Sequence, residues 1–273
     1  MSAAPVITSL YVPGDRPERF DKAVASGTQL VILDLEDAVA PDRKAQARTH
    51  VTDWLRFHVG DEAPLVEVRV NAGNDDDLTC LAAVSGDFGI RVPKVESPDD
   101  IDRVVDAMAR DVKVTALIET ALGIEAALAI ASHPMVTSLT VGEADLASDL
   151  GTADRGVLNW AQFRVLTAAR AARKPPPVAP VYTDIKDLDG LAADTADWRT
   201  MGFLGRAAIH PAQVPVIAAA FRPTAAEVAW AREVLAALES GGVTTLASGE
   251  MVDPAMLGRA ETIVALAEVG SPG

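Results

Sequence analysis

Leu30-Val31-Ile32-Leu33-Asp34-Leu35-Glu36-Asp37 is the stretch from which the fold can be read. It is one of several short β-rich apolar runs. It ends on acids, so the strand carries charge to its C-terminal end. Similar runs recur at 6–12, 65–70, 90–95, 113–118, 136–141, 177–182 and 203–209, each followed by a stretch of helical spacing. Helix signals are clear at 15–26, 42–58 and 97–110, where Ser97-Pro98 supplies an N-cap and an N1 proline. Eight strands each followed by a helix predict a (β/α)8 TIM barrel. The alternative is an open doubly wound sheet. Against it, the first strand-to-helix turn, Val12-Pro13-Gly14-Asp15-Arg16, lacks the glycine spacing of a dinucleotide site.

The barrel is expected to end near Phe221-Arg222-Pro223-Thr224, a break followed by an N-cap for a helix at 225–239. Gly241-Gly242 and Ser248-Gly249 then flank a short segment before a last helix at 254–268. This gives a catalytic barrel of residues 1–222 and a C-terminal helical extension of residues 223–273, a lid or an oligomer contact.

With 273 residues, 49% of them hydrophobic, one large domain is the default. A net charge of -15 and the lack of a dense Lys/Arg run argue against a nucleic-acid partner. No run of about 18 apolar residues appears, and residues 1–14 lack a basic region followed by an apolar core, so the expectation is a cytoplasmic protein without a membrane span. Cys80, the one cysteine, excludes a disulfide framework and a thiolate metal site, and the four dispersed histidines do not suit zinc.

In a parallel barrel, catalytic groups sit at the C-terminal strand ends. Strand two ends in Asp34, Glu36 and Asp37, strand three in Arg69 and Asn71, strand four in Lys94 and Glu96, strand five in Glu119 and strand six in Glu143 and Asp145. Carboxylates ringing one mouth call for a compensating cation, and Mg2+ takes one or two carboxylates plus water and substrate oxygens. Glu119 and Asp145, from neighbouring strands, suit that role. For any one of these acids, pairing with Arg69 or Lys94 is an equally good reading. For five successive strands it is a weaker one, because buried charge seldom stabilises on balance. Arg69 sits in an otherwise apolar strand, where a guanidinium can stabilise a developing enolate oxygen or pair with Glu36 or Asp37. The turn Gly142-Glu143-Ala144-Asp145 offers backbone N–H groups to a substrate carboxylate at a helix start. His210, before Pro211, reads as a capping or packing residue, and Trp54, Trp160, Trp198 and Trp230 as core or interface anchors.

The stretch from Leu10 to Phe20, with Leu33-Asp34-Leu35-Glu36-Asp37-Ala38-Val39 and Lys44, resembles the start of citrate lyase β-subunit-like proteins of the HpcH/HpaI aldolase superfamily. Val68-Arg69-Val70-Asn71, Pro93-Lys94, Ile118-Glu119-Thr120, Gly142-Glu143-Ala144-Asp145-Leu146, Ala208-Ile209-His210-Pro211 and Met251-Val252-Asp253 continue the resemblance in order. It implies a Mg2+-dependent carbon–carbon lyase acting between an acyl-CoA or acyl-carrier thioester and a 2-oxo acid, such as a citryl, malyl or citramalyl thioester. By the same resemblance Glu119 and Asp145 hold the metal, and Glu36 and Asp37 lie near metal-bound water. Arg69 steadies the enolate, and Asp253 is the acid/base, completing a neighbouring subunit's site in a homotrimer or hexamer. Asp253-Pro254 also reads as a helix cap. Arg16, Arg19 and Lys22 would meet the phosphates of the thiol carrier, or form a solvated basic face. No histidine precedes His50, which favours the thioester branch over aldolases of free oxo acids. A non-catalytic or carrier-dependent lyase subunit, a thioesterase and a pyruvate aldolase are the competing readings.

Overall fold

The computed structural model describes residues 5–58, 65–239, 244–246 and 249–268. Gly241-Gly242 and Ser248 lie outside them. Seven parallel strands form one sheet: β1 (Thr8–Pro13), β2 (Leu30–Asp34), β3 (Leu65–Arg69), β4 (Gly89–Val92), β5 (Val114–Ile118), β6 (Val136–Val141) and β7 (Arg206–Ala208). Their order is β6-β5-β4-β3-β2-β1-β7, so each of the first six lies beside its sequence neighbour and β7 returns to β1. That is barrel winding, and the TIM-barrel expectation holds.

Between the strands run α1 (Phe20–Ala25), α2 (Lys44–His58), α3 (Asp75–Ala82), α4 (Pro98–Met108), α5 (Ala121–Ser132), α6 (Glu143–Leu150), α7 (Arg155–Ala171), α8 (Leu188–Thr200) and α9 (Gln213–Phe221). None of the described helices is long and apolar enough to cross a membrane. Every residue of β2, β4 and β5 is buried, as expected for strands with packing on both faces. The start of α4 is as read: Pro98 occupies the first turn, and the Asp100 carboxylate accepts N–H groups from Glu96 and Ser97 at 3.0 Å each. Around residue 20, Pro17–Arg19 make a 3-10 turn first and the α-helix starts only at Phe20.

The strand expected at 177–182 is a correction. It is reduced to one bridge, Ala179 to Arg206. Pro175, Pro176, Pro177 and Pro180 supply no N–H, so the segment cannot sustain a ladder. What pairing it has runs toward β7, through Ala179 N–H to Gly205 O (2.9 Å) and Leu204 N–H to Pro177 O (3.0 Å).

The chain splits into two compact units, Val6–Ala218 and a second built on Ala219 and the residues after it. The second contains α10 (Ala225–Glu239), α11 (Leu257–Glu268) and a two-residue antiparallel pair, β8 (Thr244–Thr245) with β9 (Met251–Val252). Ala231 and Val234 of α10 share a small core with Leu246, Val252, Ala260 and Ile263. Thr224 caps α10, accepting Glu227 N–H at 3.1 Å while the Glu227 carboxylate takes Thr224 N–H at 2.7 Å.

Of the tryptophans, Trp198 is buried edge-on against Phe203, with ring centroids 4.7 Å apart. Trp54 stands edge-on to Phe20, Trp230 lies under Arg259, and Trp160 is exposed. His210 does act as a cap, accepting Ala212 N–H on Nδ1 at 3.2 Å.

Candidate active site

Strand register builds the site. Tyr11 pairs in register with Ile32, Ile32 with Glu67, Asp34 with Arg69, Arg69 with Arg91 and Arg91 with Thr115. Leu30, Ile32 and Ala207 cluster with Tyr11 on the face opposite Val31 and Leu33, and strand alternation puts Asp34, Glu67 and Arg69 on that same face. The barrel interior is therefore apolar on one side and charged on the other.

Asp34 is the keystone. It is 1% exposed, and its carboxylate accepts Arg69 Nε (2.8 Å) and Nη2 (2.5 Å) as a two-pronged pair, plus the N–H groups of Glu36 (2.9 Å) and Ala38 (3.4 Å). One carboxylate thus fixes both the guanidinium and the loop bearing Glu36 and Asp37. The remaining prong, Arg69 Nη1, lies 2.9 Å from Glu36 Oε2 and 3.6 Å from Asp37 Oδ2. The face of the guanidinium covers the Tyr11 ring, 5.0 Å from its centroid. From behind, Lys44 Nζ donates to Leu35 O and Glu36 O, each at 2.9 Å, and to Asn71 Oδ1.

Glu119 follows β5 directly and is buried, with Oε1 accepting Lys94 N–H at 2.8 Å. Lys94 turns its amide there by adopting a left-handed backbone, φ 51°, uncommon for a residue with a side chain. On the other side Gly142 leaves room for Glu119, since a Cβ at 142 would stand 1.9 Å from Oε2. Gly142 then opens α6, whose first N–H groups have no partner within the helix. Asp145, one residue turn further on, lies 3.7 Å from Lys94 Nζ.

The five carboxylates share one field. Burial pushes Glu36 up to about 7, and Asp37, Glu119 and Asp34 add to this against the opposing pull of Arg69. Glu119 is also raised, by burial first and then by Asp145, against the Lys94 N–H, Arg69 and the Lys94 ammonium. Burial lowers Lys94, but Asp145, Glu36, Glu119 and Asp37 more than offset it and the ammonium is held above its usual range. Arg69 and Lys94 therefore leave negative charge uncompensated. Glu36 Oε2, buried and beside Arg69 without hydrogen-bond geometry, accepts no hydrogen bond among the described residues.

Such a rim suits a hard divalent cation held through oxygen. Among the described residues no group of three or more His, Cys, Asp or Glu side chains gathers as ligands, so a cation at this rim would have to complete its shell with water or substrate oxygens. That matches the coordination such a cation accepts from proteins.

Of the residues singled out from the sequence, the structure gathers Glu36, Asp37, Arg69, Glu119, Gly142 and Asp145 at one rim. The Glu143 carboxylate is taken by Arg155 Nη1 (2.6 Å) and Gln162 Nε2 (3.4 Å), and Ala144 is exposed, so both offer the site only their backbone. Arg16, Arg19 and Lys22 follow the C-terminal end of β1 and are exposed, Arg16 lying 3.7 Å from Asp15 and Arg19 3.9 Å from Glu18. Asp253 belongs to the second unit, where it accepts Ala255 N–H at 2.8 Å as a helix cap.

Two features went unread. Asp34 looked like one more strand-end acid, although its place across from Arg69 makes it the brace. A buried interior network was also missed: Arg91 pairs with Glu67 (2.7 Å) and reaches Tyr11 Oη (3.4 Å), and Glu67 accepts Thr115 Oγ1 (2.7 Å). The signal was present, since Glu67 and Arg69 alternate along β3 and Arg91 and Thr115 each interrupt an apolar strand.

A family model described as HpcH/HpaI aldolase/citrate lyase matches residues 8–211, and one described as a C-C bond lyase of the TIM-barrel fold matches residues 162–270. A (3S)-malyl-CoA thioesterase of Cereibacter sphaeroides is 36% identical over 97% of this chain and 96% of its own. An L-malyl-CoA/beta-methylmalyl-CoA lyase of the same organism is 33% identical over 98% and 96%. Among solved structures, CitE of Mycobacterium tuberculosis in complex with magnesium, acetoacetate and coenzyme A superposes with a TM-score of 0.82 at 35% identity, covering 97% of this chain and 99% of that one.

Proposed function

The chain belongs to the HpcH/HpaI aldolase/citrate lyase family, and on that premise we propose that it is a Mg2+-dependent carbon–carbon lyase. Its substrate would be a 3-hydroxyacyl-CoA of the malyl, citramalyl or citryl type, and its products an acyl-CoA and a 2-oxo acid. The observation that carries this reading is the under-compensated carboxylate rim facing a single fixed guanidinium. Glu119 and Asp145 would hold the metal. When bound, Mg2+ supplies Lewis-acid polarisation of substrate oxygens.

The chain's own residues do the rest. The free N–H groups at the start of α6 bind the substrate carboxylate. Loss of the hydroxyl proton lets the C2–C3 bond break, its electron pair passing into the thioester enolate as the carbonyl of the 2-oxo acid forms. Arg69, immobilised by Asp34, faces the enolate oxygen and acts on charge that grows in the transition state. Glu36 and Asp37 orient water at the rim. Asp253, on the 223–273 extension of a neighbouring subunit, would be the acid/base, taking the hydroxyl proton and returning it to the enolate carbon, and Arg16 and Lys22 would meet the phosphates of the thiol carrier.

The test is purified chain incubated with Mg2+ and a panel of 3-hydroxyacyl-CoA thioesters and their free acids, with products identified by mass spectrometry. Acyl-CoA plus 2-oxo acid, abolished by chelation, is the expected result; chelator-insensitive turnover, or none, would sink it. The likeness to a thioesterase supports a second reading. It predicts free coenzyme A and the intact hydroxy diacid. Activity only with acyl-carrier thioesters would mark a subunit of a larger lyase, and activity only with free acids a pyruvate aldolase.

A further inference from the structure

Arg69 is held by Asp34 along one edge only. Donating Nε–H at 2.8 Å and Nη2–H at 2.5 Å to one carboxylate fixes where that edge lies, but the two planar groups can still fold about the line joining their bonds, like a hinge. Such folding keeps both bonds and swings Nη1, the corner farthest from Asp34, through the widest arc. Glu36 Oε2 lies 2.9 Å from Nη1 without hydrogen-bond geometry, so it does not stop the swing. Where Nη1 points therefore depends on what bears on the flat of the guanidinium.

Tyr11 bears on it. Its half-buried ring lies against the guanidinium, 5.0 Å from centroid to Cζ, within the range at which an aromatic face attracts a cation. The ring is itself anchored: Leu30, Ile32 and Ala207 pack with it, and its hydroxyl accepts Arg91 Nη1 at 3.4 Å. β2 and β3 separate β1 from β4 in the sheet, so this last contact crosses the barrel interior. Arg91 is 3% exposed and tied down, giving Nε–H to Glu67 at 2.8 Å with Nη2 at 2.7 Å, while Glu67 accepts Thr115 Oγ1 at 2.7 Å. A buried ion pair of this kind stabilises a fold no better than apolar side chains of similar volume. Its effect here is local, on the ring beneath Arg69.

We propose that Tyr11 is a positioning residue that sets the plane of the Arg69 guanidinium, its ring blocking the fold that the Asp34 pair alone permits, and that the Arg91 and Glu67 pair holds the ring in place. For the reaction, this role rests on the reading of Arg69 as the group that steadies the enolate, since a donor serves growing charge only when it is aimed beforehand. Tyr11 acts wholly through Arg69. Its removal should therefore cost turnover rather than thioester binding.

The experiment is nuclear magnetic relaxation of the arginine Nε–H groups in the full chain without substrate, the Arg69 signal being the one lost in Arg69→Lys. Folding about the hinge reorients this bond, so the order parameter reads it directly. The wild type is expected near about 0.85, the value of rigid backbone, and Tyr11→Met, which fills the space without an aromatic face, below about 0.6. Tyr11→Phe keeps the face and should restore the wild-type value. On the thioester that the wild type turns over, Tyr11→Met should lower kcat by about tenfold or more at unchanged KM, and Tyr11→Phe should recover to within about threefold. Glu67→Met with Arg91→Met leaves Tyr11 in place and removes both charges together, so the urea midpoint should hold while the Arg69 order parameter and kcat fall. A mobile Arg69 in the wild type overturns the proposal, as does an Arg69 left rigid by Tyr11→Met or by the double variant. So does a Tyr11→Phe as loose as Tyr11→Met, or a Tyr11→Met that loosens Arg69 yet keeps its kcat. A wild type that turns over no thioester would remove the lyase reading alone, because the relaxation data decide the place of Tyr11 without it.

Discussion

A methyl group at position 142 is the smallest change that probes the site. The alanine Cβ would stand 1.9 Å from Glu119 Oε2, so Gly142→Ala has to move the carboxylate proposed to hold the metal. A displacement of about 1 Å can cost on the order of 100-fold in rate, and this variant is expected to lose at least that much turnover with an unchanged circular dichroism spectrum. Wild-type turnover would show that Glu119 does not act from this position. Asp253 permits a sharper separation, since a carboxylate that caps a helix and one that moves a proton respond differently to amidation. Asparagine caps as well as aspartate, so Asp253→Asn should keep the melting temperature while turnover falls by about 100-fold or more. If activity survives, Asp253 is only a cap.

At the scale of elements, the reciprocal bonds between Thr224 and Glu227 set the start of α10. Thr224→Ala removes one half and is expected to lower stability by about 1 kcal/mol, read as a shifted midpoint in urea, with no change in Mg2+ binding. Caps of this kind were legible beforehand because they depend on residues close in sequence, as at Ser97-Pro98 and at Thr224. The strands were legible for a similar reason, each announcing itself as an apolar run. The segment at 177–182 misled because Val178, Ala179, Val181 and Tyr182 have strand-like side chains while the prolines among them remove the donors a strand needs. The site was half legible. Which strand ends carry charge can be read along the chain, but that Asp34 faces Arg69 depends on register between β2 and β3, and that Lys94 takes a left-handed turn depends on Glu119 accepting its amide. Contacts distant in sequence leave little trace in local pattern.

For the whole molecule, the acidic rim ties stability to pH and to metal. Glu36 is raised from 4.5 to about 7, so the folded chain keeps a proton that the unfolded chain releases in that window. Its contribution therefore favours the fold at low pH and is lost as pH rises from about 4.5 through 7. With chelator present, the melting temperature should decline across that window more steeply than in a Glu36→Gln variant. A divalent cation needs the carboxylates deprotonated, so the gain in melting temperature on adding Mg2+ should grow from pH 5 to pH 8. A gain that shrinks over that range would argue that the acids do not bind the metal. The sheet itself adds a mechanical asymmetry. Among the described residues β6 has β5 as its one strand neighbour, while the proline-rich segment pairs toward β7, so the ring of ladders has a seam beside the strand that leads into Gly142 and Asp145. Local opening is easiest where the fewest backbone bonds must break together, and amide hydrogen exchange should be faster in β6 than in β2, which is laddered on both sides. The barrel would then breathe along the edge proposed to bear the metal, letting the proposed thioester enter and leave without disturbing the Asp34 and Arg69 clamp.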